Sequence, residues 1–313
     1  MGGADAGMSE YPSRSIAGRS ERTAGLLSLH LGAHKTASTH LQQSLRQVRE
    51  ELGQGGLCYA GPKTLRAMTL AEALERGGAS RPARECRQAM SELAANHAQL
   101  LLSEENILGG TRRYNMIAEN GVLYPHAGRR VRQVIQMAGR GNATLFLSLR
   151  DPAAYNQSAF ALQVSLGNEI ELDPWLHGRD PTRVRWSGLV KRLAAIDSVD
   201  RIVIWRYEDY RELRPRVLEL MLGEELAALI PELPPSNVSL TQAGYDWFRK
   251  RAMADSEEDL RVLVRRAQRR FSRDAGHAPL QLFDDEVRAR SALMYAREVS
   301  LVRATEKVQF LDP

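Results

Sequence analysis

The chain has 313 residues, 43% hydrophobic and 26% charged, with 43 Lys and Arg against 38 Asp and Glu, a formal charge of +5 and a pI of about 9.3. This is a globular composition with length enough for a sizeable core, and its basic balance suits anionic ligands without demanding nucleic acid. No run approaches the roughly eighteen apolar residues of a membrane span, and the first thirty residues lack the apolar centre of a signal peptide, so a soluble, cytoplasmic protein is expected. The only two cysteines, Cys58 and Cys86, are far apart in sequence and stand in no His/Cys cluster, which excludes a disulfide scaffold and gives no support for a bound metal.

Residues 1–24 mix Gly, Ser and Arg without hydrophobic periodicity and are expected to form a disordered arm. The short apolar run 26–32 predicts a buried strand, and Leu41, Leu45 and Val48 at helical spacing predict a helix over 39–52. Further strands are predicted within 56–61, 97–106, 143–150 and 200–209, with helices at 83–96, 125–139, 152–166 and 186–196 between them. Strands apolar on both faces, alternating with helices, indicate an α/β fold with a central parallel sheet covered on both sides. After the Pro-rich stretch 231–237 the pattern becomes helical only, so 25–313 reads as one domain with 231–313 as its helical extension. In that tail Ser256 is a candidate cap for a helix carrying Leu260, Leu263, Val264, Ala267 and Phe271 on one face. Arg261, Arg265, Arg266, Arg269 and Arg270 occupy the other face, which reads first as solvated surface.

The stretch LHLGAHKTASTHLQQSL (29–45) passes from strand to helix through a turn rich in small and hydroxyl residues. In a parallel sheet such a turn offers backbone N–H groups and a helix dipole to an anion. Gly32 permits a sharp bend, Lys35 brings a mobile charge, and Ser38 and Thr39 add hydroxyls. A nucleotide-triphosphate loop needs four residues between two glycines and a lysine directly after the second, whereas only Ala33 and His34 separate Gly32 from Lys35. The shorter loop should surround a smaller group. A second anion site is suggested by ATLFLSLRDPAAYNQSAF (143–160), where Arg150 ends a strand, Pro152 opens a helix and Ser158 follows eight positions after the arginine, about two turns in.

Together, HLGAHKTASTHLQ and LSLRDPAAYNQSAF resemble the sulfotransferases that use 3′-phosphoadenosine 5′-phosphosulfate (PAPS), and IVIWRYEDYREL (202–213) resembles that family's late strand. The likeness is closest to bacterial members whose loop reads His-x-Gly-x-His-Lys-Thr. The resemblance implies a P-loop-like fold and sulfuryl transfer from PAPS, without a metal, to a hydroxyl or amine of a carbohydrate or other metabolite, leaving 3′-phosphoadenosine 5′-phosphate (PAP). It further implies that His34, Lys35, Thr36, Ala37, Ser38 and Thr39 hold the 5′-phosphosulfate and that Arg150 and Ser158 hold the 3′-phosphate. Lys35 would then neutralise the leaving oxygen.

Departures from the family pattern are Ala37, where glycine is common, and the lack of an Arg-Lys-Gly segment near the C-terminus. Family members activate the acceptor with a Glu or a His. Glu105, after the strand at 97–106, is the first candidate, followed by Glu104, His34 and His126; acidic residues capping the next turn fit the same pattern. A P-loop kinase using Mg²⁺ and a non-catalytic polyanion binder acting through the basic helix are the competing readings. Acceptor choice is expected to lie in the segments 62–82, 107–124 and 167–185 and in the tail.

Overall fold

Successive residues of a strand face opposite sides of its sheet, so a strand that is apolar throughout needs cover on both. The computed structural model describes residues 26–234, 240–254 and 258–313; the expected arm at 1–24 and Ser256 lie outside them. Six strands, β1 (Leu26–His30), β2 (Leu57–Ala60), β3 (Gln99–Ser103), β4 (Ala143–Leu149), β5 (Val199–Arg206) and β6 (Val308–Phe310), form one sheet in the order β2-β3-β1-β4-β5-β6. All pairings are parallel. β1 lies inside, with Leu29 opposite Leu102 on one side and Leu145 on the other.

The alternation divides the core in two. Leu27, Leu29, Leu100, Leu102, Leu145, Leu147, Ile202 and Ile204 join one apolar cluster, which also takes residues from helices Arg81–Ala94, Ala127–Ala138, Pro152–Ser165 and Trp186–Ala194. Leu57, Tyr59, Leu101, Phe146, Val203 and Trp205 join the other, covered by helices Ser38–Gln47, Arg49–Gln54 and Tyr210–Leu222. Among the described residues, no helix is long and apolar enough to cross a membrane.

Three expectations need correction. The helix predicted over 39–52 is two helices, interrupted at Val48, whose φ of −112° and ψ of 27° leave the helical region. The segment 62–82, for which no helix or strand is predicted, contains helices Pro62–Ala67 and Leu70–Arg76, because Leu65, Leu70, Ala73 and Leu74 are all buried against the sheet's first cluster. The tail is not helical only. Its helices Gln242–Ala252, Leu260–Arg270 and Asp285–Arg303 are followed by β6, which completes the edge of β5. The N–H of Ile202 donates to Lys307 O at 2.8 Å and that of Leu311 to Ile204 O at 2.8 Å. A three-residue strand is too short to show a sequence period; it exists because β5 presents unpaired backbone groups. The basic helix begins with Asp259, whose carboxylate accepts from the Arg261 N–H, as its cap.

Phe146 is fully buried in a central strand. Phe146→Ala should therefore cost about 3–5 kcal/mol, read as a lowered urea midpoint at unchanged m-value.

Candidate functional site

The chain leaves β1 toward β2 and β3 on one side and continues to β4 on the other, so β1 marks the point where strand order reverses. Crevices beyond the carboxyl ends of strands at such a point are where open α/β sheets bind ligands. The loop Leu31–Ala37 sits there, between β1 and helix Ser38–Gln47.

Gly32 has φ +38°, and a Cβ on it would lie 2.1 Å from Ser38 Oγ and 3.2 Å from His30 Nε2. The backbone crosses the serine hydroxyl so closely that a side chain does not fit. Lys35 and Ala37 also take positive φ, 68° and 67°. Non-glycine residues adopt this region at a cost of order 1–3 kcal/mol, and left-handed residues alternating with others turn successive N–H groups to one side as an anion-binding nest. The N–H groups of Lys35, Ala37, Ser38 and Thr39 make no hydrogen bond within the described residues. Ala37 occupies the cap position with no side-chain acceptor, and the first helical turn carries no acidic residue. The positive end of the helix is thus open.

The hydroxyls differ in availability. Thr36 is buried and its hydroxyl donates to Ala33 O at 2.7 Å, closing the loop on itself. Ser38 Oγ is buried without a partner. His34 supports the loop from beneath: its backbone N–H donates to the Tyr124 hydroxyl at 3.0 Å, its Nδ1 lies 2.9 Å from the same oxygen and its Nε2 lies 3.4 Å from Asn106 Oδ1. The Tyr155 hydroxyl donates to that of Tyr124 at 3.0 Å. Burial pushes the His34 pKa down to about 4, against smaller raising effects from Asn106 and Glu104, so the ring is neutral near pH 7 and engaged at both nitrogens.

Arg150, directly after β4, donates from Nη1 to Lys35 O at 2.6 Å, and its guanidinium lies 4.4 Å from the Tyr207 ring centroid. The Trp186 indole N–H donates to Arg150 O at 2.9 Å. Arg150 Nε is buried without a partner, and among the described residues neither Arg150 nor Lys35 has an ion pair. Burial lowers the pKa of both, and Arg150 lowers that of Lys35 further. Ser158 lies half-buried on helix Pro152–Ser165, and no hydrogen bond joins it to Arg150 or the loop among the described residues.

The candidate bases separate clearly. Glu104 is buried in a two-point ion pair with Arg66 at 2.9 and 3.1 Å, and also accepts from the Asn106 backbone and side chain, so it is committed to holding the turn after β3. Glu105 is half-buried, with Oε2 accepting from Gln42 Nε2 at 3.0 Å on the helix that follows the loop. His126 is exposed at the start of helix Ala127–Ala138. Comparison with known proteins finds no matching family model, no matching curated protein and no matching solved structure.

Around the predicted residues stand four that sequence reasoning did not assign to the site: Tyr124, Asn106, Gln42 and Trp186, joined to the loop, to Glu105 or to Arg150 by the bonds above. The position of Tyr207 in the late strand motif was visible, its stacking on Arg150 was not. His30 is a buried core residue, its Nδ1 2.7 Å from Ser103 Oγ and its ring stacked on Trp205.

Burial pushes His30, like His34, down to a pKa of about 4 from an ordinary 6.5. Between these values the unfolded chain binds protons that the folded chain refuses, so stability falls as pH drops from 6.5 toward 4, by on the order of 3 kcal/mol per histidine. Urea unfolding at pH 7 and pH 4.5 should show this loss, and His30→Gln should make it smaller.

Proposed function

We propose that this protein is a PAPS-dependent sulfotransferase, acting in the cytoplasm, that transfers the sulfuryl group to a hydroxyl or amine of a carbohydrate or other metabolite. The observation that carries the reading is the pair of partly buried cations, Lys35 and Arg150, held side by side without carboxylate partners beside an open nest of N–H groups. The motif resemblance and the free, buried state of Cys58 and Cys86, suited to a reducing compartment, add to it.

The donor set fits such a ligand. Ser38 Oγ and Arg150 Nε are buried and unpartnered, and Gly32 brings the backbone to the floor of the cradle. Lys35 with the N–H groups of Ala37, Ser38 and Thr39 would hold the 5′-phosphosulfate, and Arg150 with Ser158 the 3′-phosphate. PAPS, when bound, supplies an activated sulfuryl group on a phosphate leaving group. The two anionic groups of such a ligand would offset the mutual repulsion of Lys35 and Arg150, and fixed donors placed where charge develops require no reorganisation during transfer. With the donor bound, Lys35 would stabilise the negative charge on the departing phosphate oxygen.

Glu105 is the proposed base that takes the acceptor proton. It stands on the strand-end rim, is anchored through one oxygen by Gln42, and is free of the ion pair that occupies Glu104. His34, neutral and bonded beneath the loop, acts as a support for the cradle.

Lys35→Ala should lower sulfuryl turnover by roughly 10²–10³, measured by release of PAP; near-normal turnover removes its role. In calorimetry with EDTA, wild type should bind PAP and discriminate against 5′-AMP, and Arg150→Ala should lose that discrimination. Binding of ATP only, and only with Mg²⁺, would instead support a kinase.

A further inference from the structure

A second basic cavity, of about 310 Å³, opens between the segment 117–123, helix Pro152–Ser165, the segment 176–185 and helix Trp186–Ala194. It is at the small end of the range for ligand pockets, large enough for a monosaccharide-sized molecule. Four arginines line it, Arg179, Arg183, Arg185 and Arg192, against the single carboxylate of Asp180. That carboxylate is already engaged: it accepts from the Thr182 backbone N–H and hydroxyl at 2.9 and 2.8 Å and lies 3.5 Å from Arg183. Arg179, Arg185 and Arg192 have no ion pair among the described residues.

Two of these cations are fixed in place without being neutralised. Arg179 donates to Leu176 O and Trp175 O, both at 2.8 Å, and Arg192 donates to the carbonyls of Leu123 and Tyr124. Main-chain carbonyls orient a guanidinium but leave its charge, so the arginines are pre-organised for an anion from outside. Arg192 Nε is buried and has no partner. The apolar side chains of Ile117, Leu123, Leu176 and Val184 complete the wall and suit the body of a small organic molecule.

We propose that this cavity is a binding site for a small organic anion, a monosaccharide-sized molecule bearing carboxylate or sulfate groups, separate from the loop at Lys35. It adjoins the loop's support, since Leu123 lines the cavity while Tyr124, the next residue, holds His34. The site does not depend on the sulfotransferase reading.

Calorimetry on the full chain tests it with glucose 6-sulfate, citrate and, as neutral control, glucose. At least one anionic probe should bind saturably and glucose should not; which anion binds more tightly separates sulfate from carboxylate recognition. Arg185 is exposed and makes no side-chain hydrogen bond or ion pair among the described residues, so R185E should fold normally. It should weaken the anionic probe at least tenfold while leaving PAP binding unchanged, and K35A should retain the probe. The proposal is overturned if neither anion binds saturably, if R185E binds both as wild type does, or if K35A abolishes probe binding.

Discussion

Lys35 and Arg150 are two like charges that the backbone forces together, and much of the surrounding structure exists to withstand that repulsion. The sheet register sets the approach, because β1 and β4 pair directly with Leu29 opposite Leu145 and so deliver the loop and the arginine to one rim. Arg150 is then held by Lys35 O, by the Tyr207 ring and, through its own carbonyl, by Trp186. Each of these contacts fixes position while leaving the charge intact.

Carboxylates close enough to cancel the charge are occupied elsewhere. Asp151 and Glu208 both act favourably on Arg150 through space, yet neither pairs with it. Asp151 caps its helix through the Ala154 N–H and accepts from Ser291, while Glu208 accepts from the Asp151 N–H and the Tyr295 hydroxyl. Glu104 is bound to Arg66. The acidic side chains thus build the rim and keep out of its centre. A site meant for structural stability would ordinarily let one of them close on the arginine, since a charge left unpaired in a partly buried place costs energy. The same division governs the second arginine cavity, where Asp180 is engaged by Thr182 and Arg183 while the Arg179 and Arg192 guanidiniums lean on carbonyls.

The parallel sheet, five of its strands, and the helices between them were legible because long apolar runs and helical spacing are local properties. So was the loop, since glycine, lysine and hydroxyl residues stand next to one another in sequence. What stayed hidden depended on contacts across the fold. Glu104 and Glu105 are adjacent and chemically identical, and only the arrival of Arg66 and Gln42 from other elements separates a buried clamp from a half-buried candidate base. His34 reads as a possible base until Tyr124, ninety residues later, is found to hold it. The helices within 62–82 escaped notice because each is under two turns and leans on the sheet for stability.

The last strand carries a different implication, for biosynthesis. β5 is complete at Arg206, but its outer neighbour begins only at Val308, after three long helices of the tail. During translation the free edge of β5, flanked by Ile202, Val203 and Ile204, waits unpaired while the whole intervening stretch is made. An open apolar edge is a template for association with other chains. The sheet is thus closed only by the segment synthesised last, and the β5 edge depends on the tail for its cover.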